Sequence, residues 1–281
     1  MRSPVLRAAS LAAALVLPAL PATAQDSEER TAPETAMPET DMLETGGSFL
    51  DTFEAEQLDR ERWYVAEGWV NTPDHDCTWS ATALSKPGDR LIFEIEREPT
   101  AERDFVCAEV QSTEVYGHGT YEVRMRASDA PGTLAAFFTY TGPYFGDPHD
   151  EIDIELPGAR PESVELNTWV DGDDFGGPDE ITPGFDASRD FHDYAFEWTP
   201  DAIRFFVDGE QVGEVTDPAQ IPTSPGKIFL TLYSGRGAYE PWLGRFRESE
   251  SVPTMAVERV AYTAPGEPCQ FPESIVCEGG R

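Results

Sequence analysis

Positive charge is scarce in this 281-residue chain: 20 Lys and Arg stand against 53 Asp and Glu, for a formal net charge of −33. A field of that sign repels nucleic acid and anionic membrane surfaces, most strongly at low salt, and excludes both as expected partners. Histidine and cysteine are equally sparse, four of each. Their spacings do not make a zinc site, which needs clustered His and Cys ligands. No stretch after the N-terminus approaches the apolar length that spans a bilayer. Long apolar runs with a 3.6-residue period are missing as well, which excludes a helical bundle.

What the chain does have begins with Arg2 and Arg7, an apolar run from Ala8 to Leu20, and Ala22-Thr23-Ala24 before Gln25. That order is the pattern of a secretory signal peptide over residues 1–24, although an uncleaved N-terminal anchor shares its first two parts. Residues 25–47 are rich in Glu, Thr, Pro and Ser with almost no large apolar side chain. Such a segment buries too little to order itself and reads as a disordered acidic leader. Export places the four cysteines in an oxidising compartment, secreted or periplasmic, where they pair in one of three connectivities.

From residue 48 the pattern is that of strands. Tyr121, Val123 and Met125 alternate with polar residues, as do Tyr194, Phe196 and Trp198, and Ile203, Phe205 and Val207. Asp208-Gly209 supplies hairpin-turn chemistry, because glycine accepts a positive φ. Leu58 to Trp63 suits a single helical turn. Many short strands separated by turn signals predict an all-β sandwich with 40% hydrophobic residues to fill its core.

One stretch carries chemistry: His149-Asp150-Glu151-Ile152-Asp153-Ile154-Glu155. A strand alternates its faces, so Glu151, Asp153 and Glu155 share one face and the two isoleucines point into a core. Read alone, this fits either a solvated edge strand that discourages aggregation or a catalytic pair of carboxyl groups flanking a glycosidic bond. A retaining glycosidase holds that pair roughly 5–5.5 Å apart. Four residues of strand span about 13 Å, a gap that two long Glu side chains on a curved strand can largely close.

Glu-Ile-Asp-Ile-Glu is the signature of glycoside hydrolase family 16, and residues 48 to 263 resemble the bacterial endo-1,3-1,4-β-glucanases (licheninases) of that family. The segments that support this, in the same order, are Cys77-Thr78-Trp79, Cys107-Ala108-Glu109, Tyr116 to Val123, Phe137 to Gly142, Gly184 to Ser188 and Pro225 to Ile228. The resemblance implies a two-sheet, concanavalin A-like jelly roll with a concave substrate groove, filling residues 48–264 as a catalytic domain. It implies Glu151 as nucleophile, Glu155 as general acid and then general base, and Asp153 as the group that orients the first and keeps the second protonated. Groove residues carry over as Trp69, Asn71, Glu109, Phe138, Tyr140, Asn167 and Trp242, with Trp169 where a tyrosine is common. For each aromatic, core packing is the competing reading; Trp242 stands apart because it lies in the Gly-rich loop Gly235 to Trp242. A disulfide between Cys77 and Cys107 is implied. Cys269 and Cys277 lie beyond the matched region and are expected to pin a C-terminal extension, residues 265–281.

The sequence also departs from the family. Gln111 replaces an arginine, His149 the tryptophan before the signature, Tyr233 a groove tryptophan, and Leu156-Pro157-Gly158 the usual Phe-Leu-Gly. These leave the general chemistry intact and place subsite preference in question. His149 either contacts a sugar or packs at the start of the strand. The expectation is a monomeric, secreted, retaining endo-β-glycanase of a neutral glucan, with endo-1,3-β-glucanase and succinoglycan-type exopolysaccharide depolymerase as variants. Transglycosylation is a further outcome, and a non-catalytic glycan-binding module is the alternative of another class. The chemistry requires no cofactor. The resemblance extends to a structural calcium ion on the convex side, held by backbone oxygens that leave little trace in sequence.

Overall fold

The computed structural model describes residues 45–177, 181–249 and 251–277. The expected signal peptide and nearly all of the acidic leader lie outside the described residues. Sixteen strands follow in the described chain: β1 (Phe49–Asp51), β2 (Trp63–Val65), β3 (Cys77–Trp79), β4 (Leu84–Ser85), β5 (Leu91–Glu94), β6 (Phe105–Ser112), β7 (Gly119–Arg126), β8 (Thr133–Thr141), β9 (Asp150–Pro157), β10 (Glu165–Val170), β11 (Asp173–Asp174), β12 (His192–Trp198), β13 (Ile203–Val207), β14 (Glu210–Val215), β15 (Lys227–Ser234) and β16 (Thr254–Thr263). The α-helix among the described residues is a single turn, Glu240–Leu243. The turn expected after Leu58 is present, closed by the Trp63 N–H donating to the Asp59 carbonyl at 2.8 Å.

The strands form two eight-stranded sheets. One runs β14-β13-β12-β7-β16-β5-β4 with β1 beside β16; the other runs β11-β10-β9-β8-β15-β6-β2 with β3 beside β6. Pairing is antiparallel apart from β3 on β6. The alternating apolar residues meet between the sheets: Tyr121, Val123 and Met125 of β7 and Tyr194, Phe196 and Trp198 of β12 face Phe137 of β8, Ile152 and Ile154 of β9 and Leu230 of β15. Each is buried. This is the expected jelly-roll sandwich, and its period-two pattern is what removes one face of every central strand from water. At the tip of the β13–β14 hairpin, Asp208 and Gly209 both have positive φ, 48° and 78°, the geometry of the tight turn read from the sequence.

Two disulfides lock the periphery. Cys77–Cys107 ties β3 to β6, and Cys269–Cys277 closes a short loop in the C-terminal extension. That loop lies against the outer face of the first sheet, where the Ser274 hydroxyl and the Ile275 N–H donate to the two oxygens of Glu122 at 2.7 and 3.0 Å.

Candidate active site

Strand β9 is buried on both faces. Ile152, Ile154 and Leu156 enter the core, while Glu151, Asp153 and Glu155 stand on the opposite face of the second sheet. There they line a cavity of about 760 Å³. The strand starts where it does because Asp150 is fixed: its carboxylate accepts the N–H groups of Asp171, Thr223 and Ser224 at 2.9 to 3.0 Å.

Register organises the cavity floor into rows that run across the strands. Glu155 lies opposite Ala136, which pairs with Thr231, which pairs with Glu109. Asp153 lies opposite Phe138, then Phe229, then Gln111, then Tyr64 on the edge strand β2. Glu151 lies opposite Tyr140, which pairs with Lys227. On its other side β9 meets β10, with Glu165, Asn167 and Trp169 in register with Glu155, Asp153 and Glu151. Small side chains at Ala136 and Thr231 keep the floor low between the two outer carboxyl groups of the first row.

The carboxyl groups of Glu151, Asp153 and Glu155 are each less than one-tenth exposed, and burial is the main force on all three. Desolvation disfavours the charged form, so each is raised above its ordinary value. The hydrogen bond between Glu151 and Asp153 lowers the first and raises the second. Burial takes Glu151 up to about 8 and Asp153 further, so of the two Glu151 is the more readily ionised. Glu155 is pushed well up by burial and then by the neighbouring carboxyl groups of Asp153, Glu165 and Glu151, which favours its protonated form. One strand thus carries two glutamates of unequal acidity on one face, the more readily ionised suited to attack and the other to proton donation, as displacement at an acetal requires.

Of the residues singled out from sequence, Trp69, Asn71, Glu109, Gln111, Phe138, Tyr140 and Tyr233 line the same cavity as Glu151, Asp153 and Glu155. Glu109 is buried and uncharged, raised to about 8 by desolvation against the opposing hydrogen bond from the Gln111 amide at 3.1 Å. Four others stand one layer back. His149 bonds to Glu151 through Nε2 at 2.7 Å. Trp169 is buried and stacks on the His149 ring, with centroids 4.8 Å apart. Asn167 is buried, its side-chain oxygen accepting the Thr168 N–H at 2.8 Å. Trp242 is half-buried, donates its indole N–H to Glu165 at 2.8 Å and meets Tyr239 edge-on.

Sequence reading passed over Tyr64, His75, Lys227, Phe229, Thr231 and Tyr239, which also line the cavity. For three of these the signal was present: Lys227, Phe229 and Thr231 alternate with Tyr233 along β15, so placing Tyr233 in the groove places them too. His75 carried no such signal, because it reaches the wall from a loop, stacked on Tyr233 at 4.2 Å.

The family model for glycosyl hydrolases family 16 matches residues 71–249. The chain is 42% identical over 234 residues to the endo-1,3-1,4-beta-glycanase ExoK of Rhizobium meliloti (strain 1021), covering 82% of this chain and 84% of that protein. It is 40% identical over 204 residues to a beta-glucanase of Bacillus subtilis (strain 168), covering 72% of this chain and 81% of that protein. Among solved structures it superposes on the Bacillus licheniformis beta-glucanase with a TM-score of 0.72 at 35% identity, covering 79% of this chain and all of the other. Together with the paired Glu residues on one strand face, these matches make the chain a member of glycosyl hydrolases family 16, a glycoside hydrolase.

Proposed function

We propose that this protein is a secreted, retaining endo-β-glycanase that cleaves internal β-1,3/1,4-type glucosidic bonds of a polysaccharide. The observation that carries the reading is the placement of Glu151 and Glu155 on one face of β9 at the floor of one cavity, with Glu155 held above its ordinary value by burial and by the carboxyl groups around it. The Glu151 carboxylate attacks the anomeric carbon while Glu155 gives its proton to the departing glycosidic oxygen. The C–O bond breaks and a glycosyl ester of Glu151 forms. Water then enters; Glu155, now a carboxylate, takes its proton as the water oxygen attacks the same carbon and releases Glu151. Two inversions give net retention. Asp153, hydrogen-bonded to Glu151, orients the nucleophile, and its carboxyl group favours the protonated form of Glu155 until the leaving group has gone.

The substrate class follows from the relatives named endo-1,3-1,4-beta-glycanase and beta-glucanase. Gln111, His149 and Tyr233, which replace residues typical of the licheninases in and beside the groove, favour a bacterial exopolysaccharide as the second reading. Incubation with barley β-glucan, lichenan, laminarin, agarose and succinoglycan tests both, and no new reducing ends from any of them would refute the proposal. Chromatography of products from defined oligosaccharides reports linkage and separates hydrolysis from transglycosylation. A Glu151→Gln variant that loses turnover but keeps glycan affinity separates an enzyme from a binding module.

Secretion rests on the N-terminal pattern and on two disulfides, and no helix among the described residues is long and apolar enough to cross a membrane. We read the protein as a monomer, tested by light scattering. For the structural calcium, no group of three or more Asp, Glu, His or Cys side chains among the described residues is arranged to hold a metal ion. Backbone oxygens would supply its ligands, and a melting curve unchanged by chelation would remove it.

A further inference from the structure

His149 occupies a place that neither substrate contact nor simple packing accounts for. Its Nε2 lies 2.7 Å from Glu151 Oε2, and both side chains are nearly buried, at 12% and 10% exposure. The ring is gripped on two sides. Trp169 stacks on it with planes 10° apart, and Tyr140 meets it edge-on at 5.2 Å. Trp169 and Tyr140 are the residues paired with Glu151 on the two flanking strands. The imidazole is therefore fixed by the same register that fixes the carboxylate, and it stands outside the cavity lining that a glycan would touch.

We infer that His149 is a positioning residue for the attacking carboxylate: as a neutral imidazole it donates its Nε2–H to Glu151, holding the carboxylate's rotation and favouring its anionic form. This rests on the assignment of Glu151 as nucleophile. The direction of donation follows from that role: a carboxylate poised to attack can only accept, so the imidazole donates. Burial holds His149 below its ordinary value of 6.5, against the opposing charges of Asp150 and Asp174. The groups that face it are Glu151 beside it on β9, Asp150 preceding, Asp174 on β11 and Tyr140 on β8. The Asp150 carboxylate is directed to three backbone amides, and so does not compete for the imidazole. A donor is needed here because burial alone would protonate the nucleophile, and a hydrogen bond to the charged form opposes that. Fixing the carboxylate before substrate arrives removes an orientation that would otherwise have to be selected at each turnover.

The test compares H149F, H149N and H149Q with the wild-type full-length protein on one polysaccharide and one activated aryl β-glycoside, measuring kcat, KM and the pH profile of kcat/KM. H149F removes the donor while keeping a ring between Trp169 and Tyr140. It is expected to lower kcat roughly ten- to hundredfold, the scale of a lost hydrogen bond to a charged group, with KM little changed. The acidic limb of kcat/KM should move to higher pH, because Glu151 becomes harder to ionise. H149Q, long enough to reach Oε2 with an amide N–H, should recover most of kcat and the wild-type limb; H149N, too short, should behave like H149F and serves in its place where H149F does not fold. A raised KM with kcat and the acidic limb unmoved would make His149 a sugar contact, and no change in any of the three would make it packing; either overturns the inference. Absence of wild-type turnover on every glycan would instead sink the glycosidase reading itself.

Discussion

Asn71 accepts two indole N–H groups at one oxygen, from Trp79 at 2.7 Å and from Trp69 at 3.1 Å. Trp79 is buried in the core and Trp69 lines the cavity, so a single amide couples packing to the groove wall. Asn71→Ala leaves the Trp79 N–H buried without a partner, a loss of about 1–3 kcal/mol. It also frees the Trp69 ring. We expect a lower Tm and a higher KM together, with kcat retained; Asn71→Asp, which keeps the acceptor, should restore the Tm. A KM unchanged in the alanine variant would separate Trp69 from substrate.

Glu109 links stability to pH. In the folded protein it holds its proton up to about 8, whereas an unfolded glutamate releases it near 4.5. Between these values the folded state binds more protons than the unfolded one, so stability falls as pH rises, by about 1.4 kcal/mol per pH unit for one fully differing group. Glu109→Gln keeps the Gln111 partner and removes the charge. The variant should match the wild type in Tm below pH 4.5 and become progressively more stable up to about pH 8. A difference that stays constant across that window would mean that Glu109 is not the buried acid described.

The core and the catalytic strand were legible in the sequence because a strand has only two faces. Ile152 and Ile154 between Glu151, Asp153 and Glu155 decide which face is dry, and β9 sits as that alternation requires. The groove was legible as far as register extends, through Phe138, Tyr140 and Tyr233. Where loops deliver side chains, periodicity gave no guide: Trp69 and Asn71 were found through the family resemblance, His75 comes from a turn and was missed, and Trp242, singled out for its Gly-rich loop, turns to Glu165 and Tyr239. His149 was visible as a departure from the family, but its bond to Glu151 depends on a side-chain direction at the start of β9 that periodicity does not specify.

The C-terminal loop is a clamp on the sheet that the groove does not use. Besides the Glu122 bonds, Arg259 lies over the Phe271 ring at 4.4 Å while pairing with Asp193. Replacing Cys269 and Cys277 by Ser removes a constraint worth roughly 2–3 kcal/mol in the chain-entropy account. At this chain length each kcal/mol moves Tm by about 2–4 °C. The double variant should therefore melt several degrees lower while kcat/KM at 25 °C stays at the wild-type value. Loss of activity at that temperature with the fold intact would show that the clamp reaches the groove.

Tyr64 extends the cavity to the sheet edge. It is 41% exposed, lines the groove and stacks on Trp69 with planes 17° apart and centroids 6.3 Å apart. In the row that begins at Asp153 it is four strands away, about 19 Å at the usual inter-strand spacing. A glycan laid across the strands from the catalytic carboxyls would reach this ring only if it were several sugars long, and a sugar face stacked there gains on the order of 1 kcal/mol. Tyr64→Ala should accordingly raise KM for the polymer and for long oligosaccharides a few-fold. Hydrolysis of a short aryl glycoside should be unaffected, and Tyr64→Phe should retain wild-type behaviour on both, because the stacking face and not the hydroxyl makes the contact. Equal losses on long and short substrates would place the defect at the catalytic strand and remove Tyr64 from the path of the chain.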